Sequence, residues 1–467
     1  MKNIVWIFII TTSCLGAYAQ KETKPNIIFI LADDLGYGDL GSYGQKLIQT
    51  PNLDKMAANG MRFTQFYSGA PVCAPSRTSL MTGLHTGHTP IRGNKAVKPE
   101  GQWPLPATSV TIAEVMKQAG YATGDFGKWG MGFINTSGDP LNQGFDEFFG
   151  YNCQSEAHSY HPDHLWNNSK RIDFPENPKK ENMYAQDLIH EKGLSFIDQN
   201  KGNPFFLYLS YILPHADLRV PDNDPVREMY KKKFNEVAIP KPLKTNNYRF
   251  EPYPKATYAA MVTRLDTHVG QVLDKLKALG IDKNTLVIFS SDNGPHVEGG
   301  NDPAFFNSNG GFRGVKRDVY EGGFREPFIA FWPGTVKAGS TNNHIGAFWD
   351  MLPTFAELAQ TPVPENIDGI SIVKTLKGKT GQKKHSYLYW EFHELGGRQA
   401  VRMGKWKGVK LNVITNPDAK LELYNLDKDP AEKNNIATKN PKIVEKINQF
   451  MRDSHVENEV FPFFAKK

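Results

Sequence analysis

An α/β sandwich with a mostly parallel central sheet, followed by a small C-terminal α+β subdomain, is the fold this sequence predicts, on three observations. Continuous apolar runs bounded by turn residues recur along the chain, the pattern of strands buried on both faces. Helical stretches with recognisable caps stand between those runs, so strand and helix alternate. From about Ser386 the pattern changes to short Trp- and Tyr-bearing runs and a turn-rich Asn425 to Pro430.

Taken in order, Asn26-Ile27-Ile28-Phe29-Ile30-Leu31-Ala32 is apolar, rich in β-branched residues, and ends on Asp33-Asp34. Thr50-Pro51 offers an N-cap followed by proline at the first helical position, where its missing N–H costs nothing, and Gly60 closes that helix. Thr111-Ile112-Ala113-Glu114 reads as a capping box opening a helix that stops at Gly120, after which Tyr121 to Phe126 returns as a strand. Phe205 to Ser210 and Leu286 to Ser290 are two more buried strands. Between them Tyr258 to Leu279 carries apolar residues at helical spacing and ends at Gly280. Pro441 to Met451 is a final helix, and no internal repeat or low-complexity linker interrupts the series.

At 467 residues the chain has enough length for one large domain and a smaller one. Its formal charge of +6 is spread through mixed-sign segments, which argues against a nucleic-acid partner and leans only slightly toward anionic substrates. Lys2, the apolar run Ile4 to Ile10 and Ala17-Tyr18-Ala19 before Gln20 have the order of a secretory signal peptide, residues 1–19. The mature chain then divides into a catalytic domain at 20–385 and the subdomain at 386–467. No segment reaches the ~20 apolar residues that stable membrane insertion needs. Thr12-Ser13-Cys14-Leu15 lacks the upstream apolar and downstream small residue of a lipoprotein box. Export leaves Cys73 and Cys153, and an oxidising compartment allows them to pair; the residues around Cys73 argue instead for a reactive role.

Ligands in open α/β sheets bind beyond the carboxyl ends of strands, and Asp33-Asp34 and Ser291-Asp292-Asn293-Gly294 both follow strand runs. Asp33, Asp34, Asp292 and Asn293 offer four oxygen donors, a set suited to Ca²⁺ or Mg²⁺ and not to a soft metal. Taken alone, Asp-Asp after a strand is more often a helix cap or a turn. Its company is Cys73-Ala74-Pro75-Ser76-Arg77-Thr78-Ser79-Leu80-Met81-Thr82-Gly83, a proline-initiated helix with a cysteine, a hydroxyl and an arginine in its first turn.

Cys-x-Pro-Ser-Arg with its Thr-Gly end resembles the formylglycine-dependent sulfatases, and the resemblance runs through nearly the whole mature chain. It implies an alkaline-phosphatase-like fold and the hydrolysis of sulfate esters. It further implies that Cys73 is oxidised to formylglycine (3-oxoalanine) by a maturation enzyme, and that the hydrated aldehyde attacks sulfur. Asp33, Asp34, Asp292 and Asn293 match the family's ligands for one Ca²⁺, to which the modified residue 73 is also bound. Gly127-Lys128-Trp129-Gly130, Pro214-His215 and Gly314-Val315-Lys316, followed by Glu321-Gly322-Gly323, match further active-site segments in the family's order. Arg77, Lys128 and Lys316 would then clamp the diffuse charge of the sulfate, most strongly in the transition state, and His215 or Lys316 would protonate the departing alcohol. Where many relatives carry a histidine two places after the lysine, this chain has Gly130, so the base that regenerates the aldehyde is unassigned. His296 is a candidate replacement and a candidate substrate contact. The bland alternatives are solvated lysines, a satisfied core or turn histidine and a helix-face arginine.

His158-Ser159-Tyr160-His161-Pro162-Asp163-His164-Leu165-Trp166 is rich in groups that bond hydroxyls and in rings that stack on sugars. It resembles the insert of bacterial sulfatases acting on galactose or N-acetylgalactosamine sulfates, at the 6-position, with Asp163 and His164 as sugar contacts. Zinc at the spaced histidines is the alternative, weakened by Pro162, and an ordinary polar loop is the other. The functional alternatives are a phosphonate or phosphodiester hydrolase of the same superfamily and a noncatalytic binder of sulfated glycans. The expected partner is a sulfated saccharide, and the expected compartment is the bacterial periplasm.

Overall fold

Strand β1 (Asn26–Ala32) is buried along its whole length and pairs in parallel register with neighbours on both sides, as its continuous apolar run requires. In this computed structural model residues 24–240, 248–416 and 418–464 are described. The expected leader at 1–19 and Cys14 lie outside the described residues.

The further strands are β2 (Met61–Tyr67), β3 (Ala122–Lys128), β4 (Glu147–Tyr151), β5 (His164–Asn167), β6 (Lys170–Asp173), β7 (Phe205–Ser210), β8 (Thr285–Ser291), β9 (Arg325–Phe331), β10 (Ser340–Asn342) and β11 (Gly346–Ala347). They form one large sheet in the order β10-β2-β9-β8-β1-β7-β3-β4-β5-β6, with β11 also on β2. The run β8-β1-β7-β3-β4 is parallel, whereas β9 runs antiparallel between β2 and β8, and β4, β5 and β6 form an antiparallel edge. The fold is therefore the expected mixed α/β architecture.

Alternation along β1 divides the core in two. Ile28 and Ile30 pack on one face with residues of the helices Ala185–Asn200 and Pro254–Ala278. Ile27, Phe29 and Leu31 pack on the other with the helices Cys73–Thr82, Ile112–Gln118 and Met351–Leu358. Successive strand residues point to opposite faces, so a sheet covered by helices on both sides needs no polar face. Thr111 and Glu114 form the expected capping box.

The C-terminal strands β12 (Leu388–Phe392), β13 (Arg398–Met403), β14 (Trp406–Leu411) and β15 (Glu422–Asn425) make a separate antiparallel sheet in that order. The helix Pro441–Asp453 covers it through Ile447 and Met451. Trp390 and Leu388 pack on the other side against Tyr67, Phe324 and Trp349, so this small sheet is docked against the large one near β2 and β9.

Candidate active site

Four loops, one helix and the end of β3 bring the expected polar residues together. Asp33 and Asp34 follow β1, Asp292 and Asn293 follow the adjacent β8, and both pairs emerge at the carboxyl ends of parallel strands. Asp34 turns back sharply with φ of 66°, a conformation that aspartate tolerates better than most residues, and its N–H donates to Asp292 Oδ1 at 3.1 Å. Cys73 is the first residue of the helix Cys73–Thr82, every residue of which is buried, and its Sγ lies 3.5 Å from Asp33 Oδ1.

The cations converge on these carboxylates. Arg77 donates from Nε and Nη2 to Asp292 Oδ2 at 3.0 and 2.8 Å and from Nη1 to the Lys128 carbonyl at 2.6 Å. Lys128, the last residue of β3, donates to Asp33 Oδ2 at 2.6 Å, and Lys316 donates to Asp34 Oδ2 at 2.7 Å. His215 Nε2 is 3.4 Å from the same Asp34 oxygen. Its Nδ1 bonds the Ala216 carbonyl, which only accepts, so Nδ1 carries a proton and a neutral ring presents a lone pair at Nε2.

Burial alone would raise the Asp33 carboxyl, but Lys128, Arg77 and Lys316 hold it well below the usual carboxylate range. Asp292 goes the other way, up to about 6, through burial and the neighbouring charge of Asp33. Burial, Asp292 and Asp33 together push the Cys73 thiol well above its ordinary value. As a thiol the residue is protonated and a poor nucleophile. Burial opposes the charge of Lys316, yet Asp34 keeps that lysine well above the ordinary value. His215 is driven well below its ordinary value by burial and by the positive charge of Lys316.

Whether these residues fit a hard cation can be judged from Asn293. Its Nδ2 bonds Asp34 Oδ1 at 2.6 Å and the Gly294 carbonyl at 3.0 Å, while its Oδ1 is buried without a hydrogen-bond partner. A buried amide oxygen beside three carboxylates is an all-oxygen donor set with one donor to spare, which fits Ca²⁺ or Mg²⁺. Asp33, Asp34, Cys73 and His215 also bring potential ligand atoms within 4.8 Å of one another.

The expected specificity segment splits. The His158 ring stacks on His215 with centroids 4.9 Å apart and so borders the site. His161 bonds the Met183 carbonyl at 3.0 Å. His164 Nδ1 is 2.5 Å from Asp163 Oδ1 and its Nε2 2.8 Å from Glu100 Oε2. The three histidines thus go to three places and share no site, while Glu156, Asp163 and His164 bring potential ligand atoms within 4.8 Å of one another. Cys73 and Cys153 are both free and buried, which overturns the disulfide alternative. His296 is fully buried, with Nε2 3.1 Å from the Pro214 carbonyl and Nδ1 3.4 Å from Glu298. Gly130 has φ of 74°, and a Cβ there would stand 2.1 Å from Gln154 Nε2, so a glutamine amide fills the space beside it.

Sequence reasoning missed the hairpin-like segment around the Ala96–Gln102 bridge. Asn94 accepts from the N–H of Ala74 at 3.0 Å, Gln102 accepts from the N–H of Gln154 at 3.4 Å, and Glu100 accepts from Trp166 Nε1 at 2.8 Å and bonds His164. One segment therefore links the helix that begins at Cys73 to the start of β5. No local pattern signals this, because every partner is distant in sequence.

The sulfatase family model matches residues 25–361, and a second model, described as N-sulphoglucosamine sulphohydrolase, C-terminal, matches residues 311–457. The N-acetylgalactosamine-6-sulfatase of Mus musculus is 33% identical over 425 residues, covering 85% of this chain and 74% of the mouse protein. The arylsulfatase of Hemicentrotus pulcherrimus is 34% identical over 412 residues, covering 82% of this chain and 67% of its own. The crystal structure of Ps i-CgsB in complex with k-i-k-neocarrahexaose superposes with a TM-score of 0.78 at 30% identity, over 95% of this chain and 96% of that one.

Proposed function

The chain belongs to the sulfatase family, and from that premise we propose that it removes sulfate from a saccharide of galactose or N-acetylgalactosamine type, at the 6-position, with residue 73 as nucleophile. The observation that carries this reading is the buried ring around Cys73, in which Arg77, Lys128 and Lys316 each donate to a carboxylate that follows β1 or β8.

Asp33, Asp34, Asp292 and Asn293, with residue 73, would hold one Ca²⁺, and the unpartnered Oδ1 of Asn293 is the donor that nothing else satisfies. When bound, such an ion lowers the pKa of an attacking hydroxyl and offsets charge on the sulfate. Conversion of Cys73 to formylglycine by a maturation enzyme would replace a protonated, unreactive thiol with a hydrated aldehyde.

Arg77 and Lys128 supply fixed positive charge beside residue 73, where the oxygens of the transferring sulfate gather negative charge. Lys316, held protonated by Asp34, is assigned the proton donor to the departing sugar oxygen. His215 is assigned to accept, at its Nε2 lone pair, a hydrogen bond from a hydroxyl beside residue 73, and His296 bonds the Pro214 carbonyl next to it. The side chain of Asp163 is half exposed and steadied by His164, which leaves a carboxylate oxygen for a sugar hydroxyl. The leader would direct the chain to the periplasm, and among the described residues no helix is long and apolar enough to cross a membrane.

The test is to produce the protein with and without a formylglycine-generating enzyme and to analyse the peptide bearing residue 73 by mass. An aldehyde there, with turnover of mono-sulfated sugars only in the modified form and loss of turnover on chelation of calcium, is the expected outcome. Unmodified Cys73 in a fully active preparation would overturn it. Matched sulfate and phosphate esters separate the sulfatase from the phosphonate or phosphodiester reading.

A further inference from the structure

Where the small antiparallel sheet meets the edge of the large one there is a second cavity, of about 430 Å³, that shares no residue with the ring around Cys73. Its size falls within the range that holds a small ligand. Its lining comes from β2, from β10 and the turn after it, from the stretch before β12, and from β13. Basic groups and amides dominate: Arg402, Lys384 and His344 stand with Gln65, Asn343 and Gln382, and no carboxylate lines the space.

Arg402 is the informative member. It is only 2% exposed, gives Nη2 to Gln65 Oε1 at 2.7 Å, and has no hydrogen-bond partner for Nε or Nη1. The nearest carboxylate, Glu321, is 3.9 Å from Nη1 and is already bonded by Lys407 at 2.8 Å and Arg325 at 3.2 Å. A buried guanidinium with so little compensation is costly unless an anion approaches it. Asp350, the other carboxylate close by, is taken up by His385 Nε2 at 2.7 Å and by the N–H of Ala347. Tyr387 also lines the cavity, held in place by stacking on Phe450 with ring centroids 4.0 Å apart.

We propose that this junction cavity is a second, noncatalytic binding site for an anionic saccharide, one sulfate or carboxylate group facing Arg402 and Lys384 and the hydroxyls facing the amides. The proposal does not depend on the catalytic reading, and its test reads binding, not turnover. Calorimetric titration of the full chain with a defined sulfated disaccharide is expected to show a class of sites that Lys384→Glu weakens by about tenfold or more, since it reverses a charge at the rim. Lys384 and Asn343 are both exposed, so Lys384→Glu and Asn343→Asp should leave folding and the turnover of a small aryl sulfate unchanged. Binding that is equally tight in the wild type and both variants would overturn the proposal. So would inorganic sulfate binding there as tightly as the disaccharide, which would make it an anion site only. Weakened saccharide binding in both variants with unaltered aryl-sulfate turnover would support it, whatever residue 73 proves to be.

Discussion

Two buried clusters of charge in this protein have similar membership and opposite design. Around Cys73, Asp33, Asp34 and Asp292 face Arg77, Lys128 and Lys316; at the junction of the two sheets, Glu321 and Glu432 face Lys407, Arg325 and Arg402. The first has its carboxylates in loops just past the ends of parallel strands, and its side chains converge on residue 73, the proposed nucleophile. The second is built on β9, β13 and β14, on the short helix Glu321–Phe324 before β9, and on the loop after β15 that carries Glu432. Glu321 accepts from Lys407 on β14, from Tyr67 on β2 at 2.7 Å and from Arg325 on β9, so one carboxylate ties together three strands from two sheets. Burial and unusual protonation are common to both and do not identify function. What sets the first apart is convergence on one side chain, with a spare donor in Asn293 Oδ1.

Substitution should pull the clusters apart along that line, and the largest effect belongs to the first. Cys73→Ala is expected to lower turnover of any sulfate ester by about 10⁴-fold or more, with a thermal midpoint within a few degrees of wild type. Steady-state kinetics beside thermal unfolding checks both halves, and a large loss of stability would place Cys73 with the structural cluster. Glu321→Ala should behave in the reverse sense. It leaves Lys407 and Arg325 without their main carboxylate partner and should cost about 3–5 kcal/mol of stability, while turnover per folded molecule stays within about threefold. Denaturant titration measures the first number and active-site-normalised kinetics the second.

A smaller effect tests the charge balance within the structural cluster. Burial and the nearby charge of Glu321 raise the Glu432 carboxyl to about 7, against the pull of Lys407. The folded chain therefore holds a proton on Glu432 between about pH 4.5 and 7 that the unfolded chain has lost, so this group makes stability fall as pH rises through that window. Glu432→Gln keeps an acceptor for the N–H of Glu321 and removes the titration. It should flatten the stability profile there and gain about 1–3 kcal/mol at pH 8. A profile identical to wild type would show that Glu432 stays ionised beside Lys407.

The contrast also explains what was readable in the sequence. Strands buried on both faces announce themselves as unbroken apolar runs, so β1, β7 and β8 were legible, and with them the positions of Asp33, Asp34, Asp292 and Asn293 at their ends. The short helix start at Cys73 was legible for the same local reason. β2 and β9 were not, because their mixture of polar and apolar residues is that of strands near a sheet edge. Glu321 lies in a segment whose resemblance pointed to the active site, yet its side chain serves the junction, since a motif fixes the order of residues and not the direction in which each one faces. Asn94, Gln102 and Glu100 escaped altogether, because their partners are 20 to 66 residues away.

That missed segment gives the smallest and most specific expectation. Glu100 bonds both His164 and Trp166, and His164 in turn bonds Asp163, so Asp163 is held by a chain of side chains that begins on the same segment as Asn94 beside Cys73. If this chain forms the sugar side of the site, Asp163→Ala should reduce kcat/KM for a 6-sulfated saccharide by about tenfold, the loss of one good hydrogen bond to a hydroxyl, and leave a small aryl sulfate untouched. Glu100→Gln should produce a fraction of that loss, since it loosens His164 without removing the contact, and the double variant should be no worse than Asp163→Ala alone. Equal losses on both substrates would move these residues out of recognition and into the support of the fold, and would leave the loop of His158 beside His215 as the remaining place where the sugar is read.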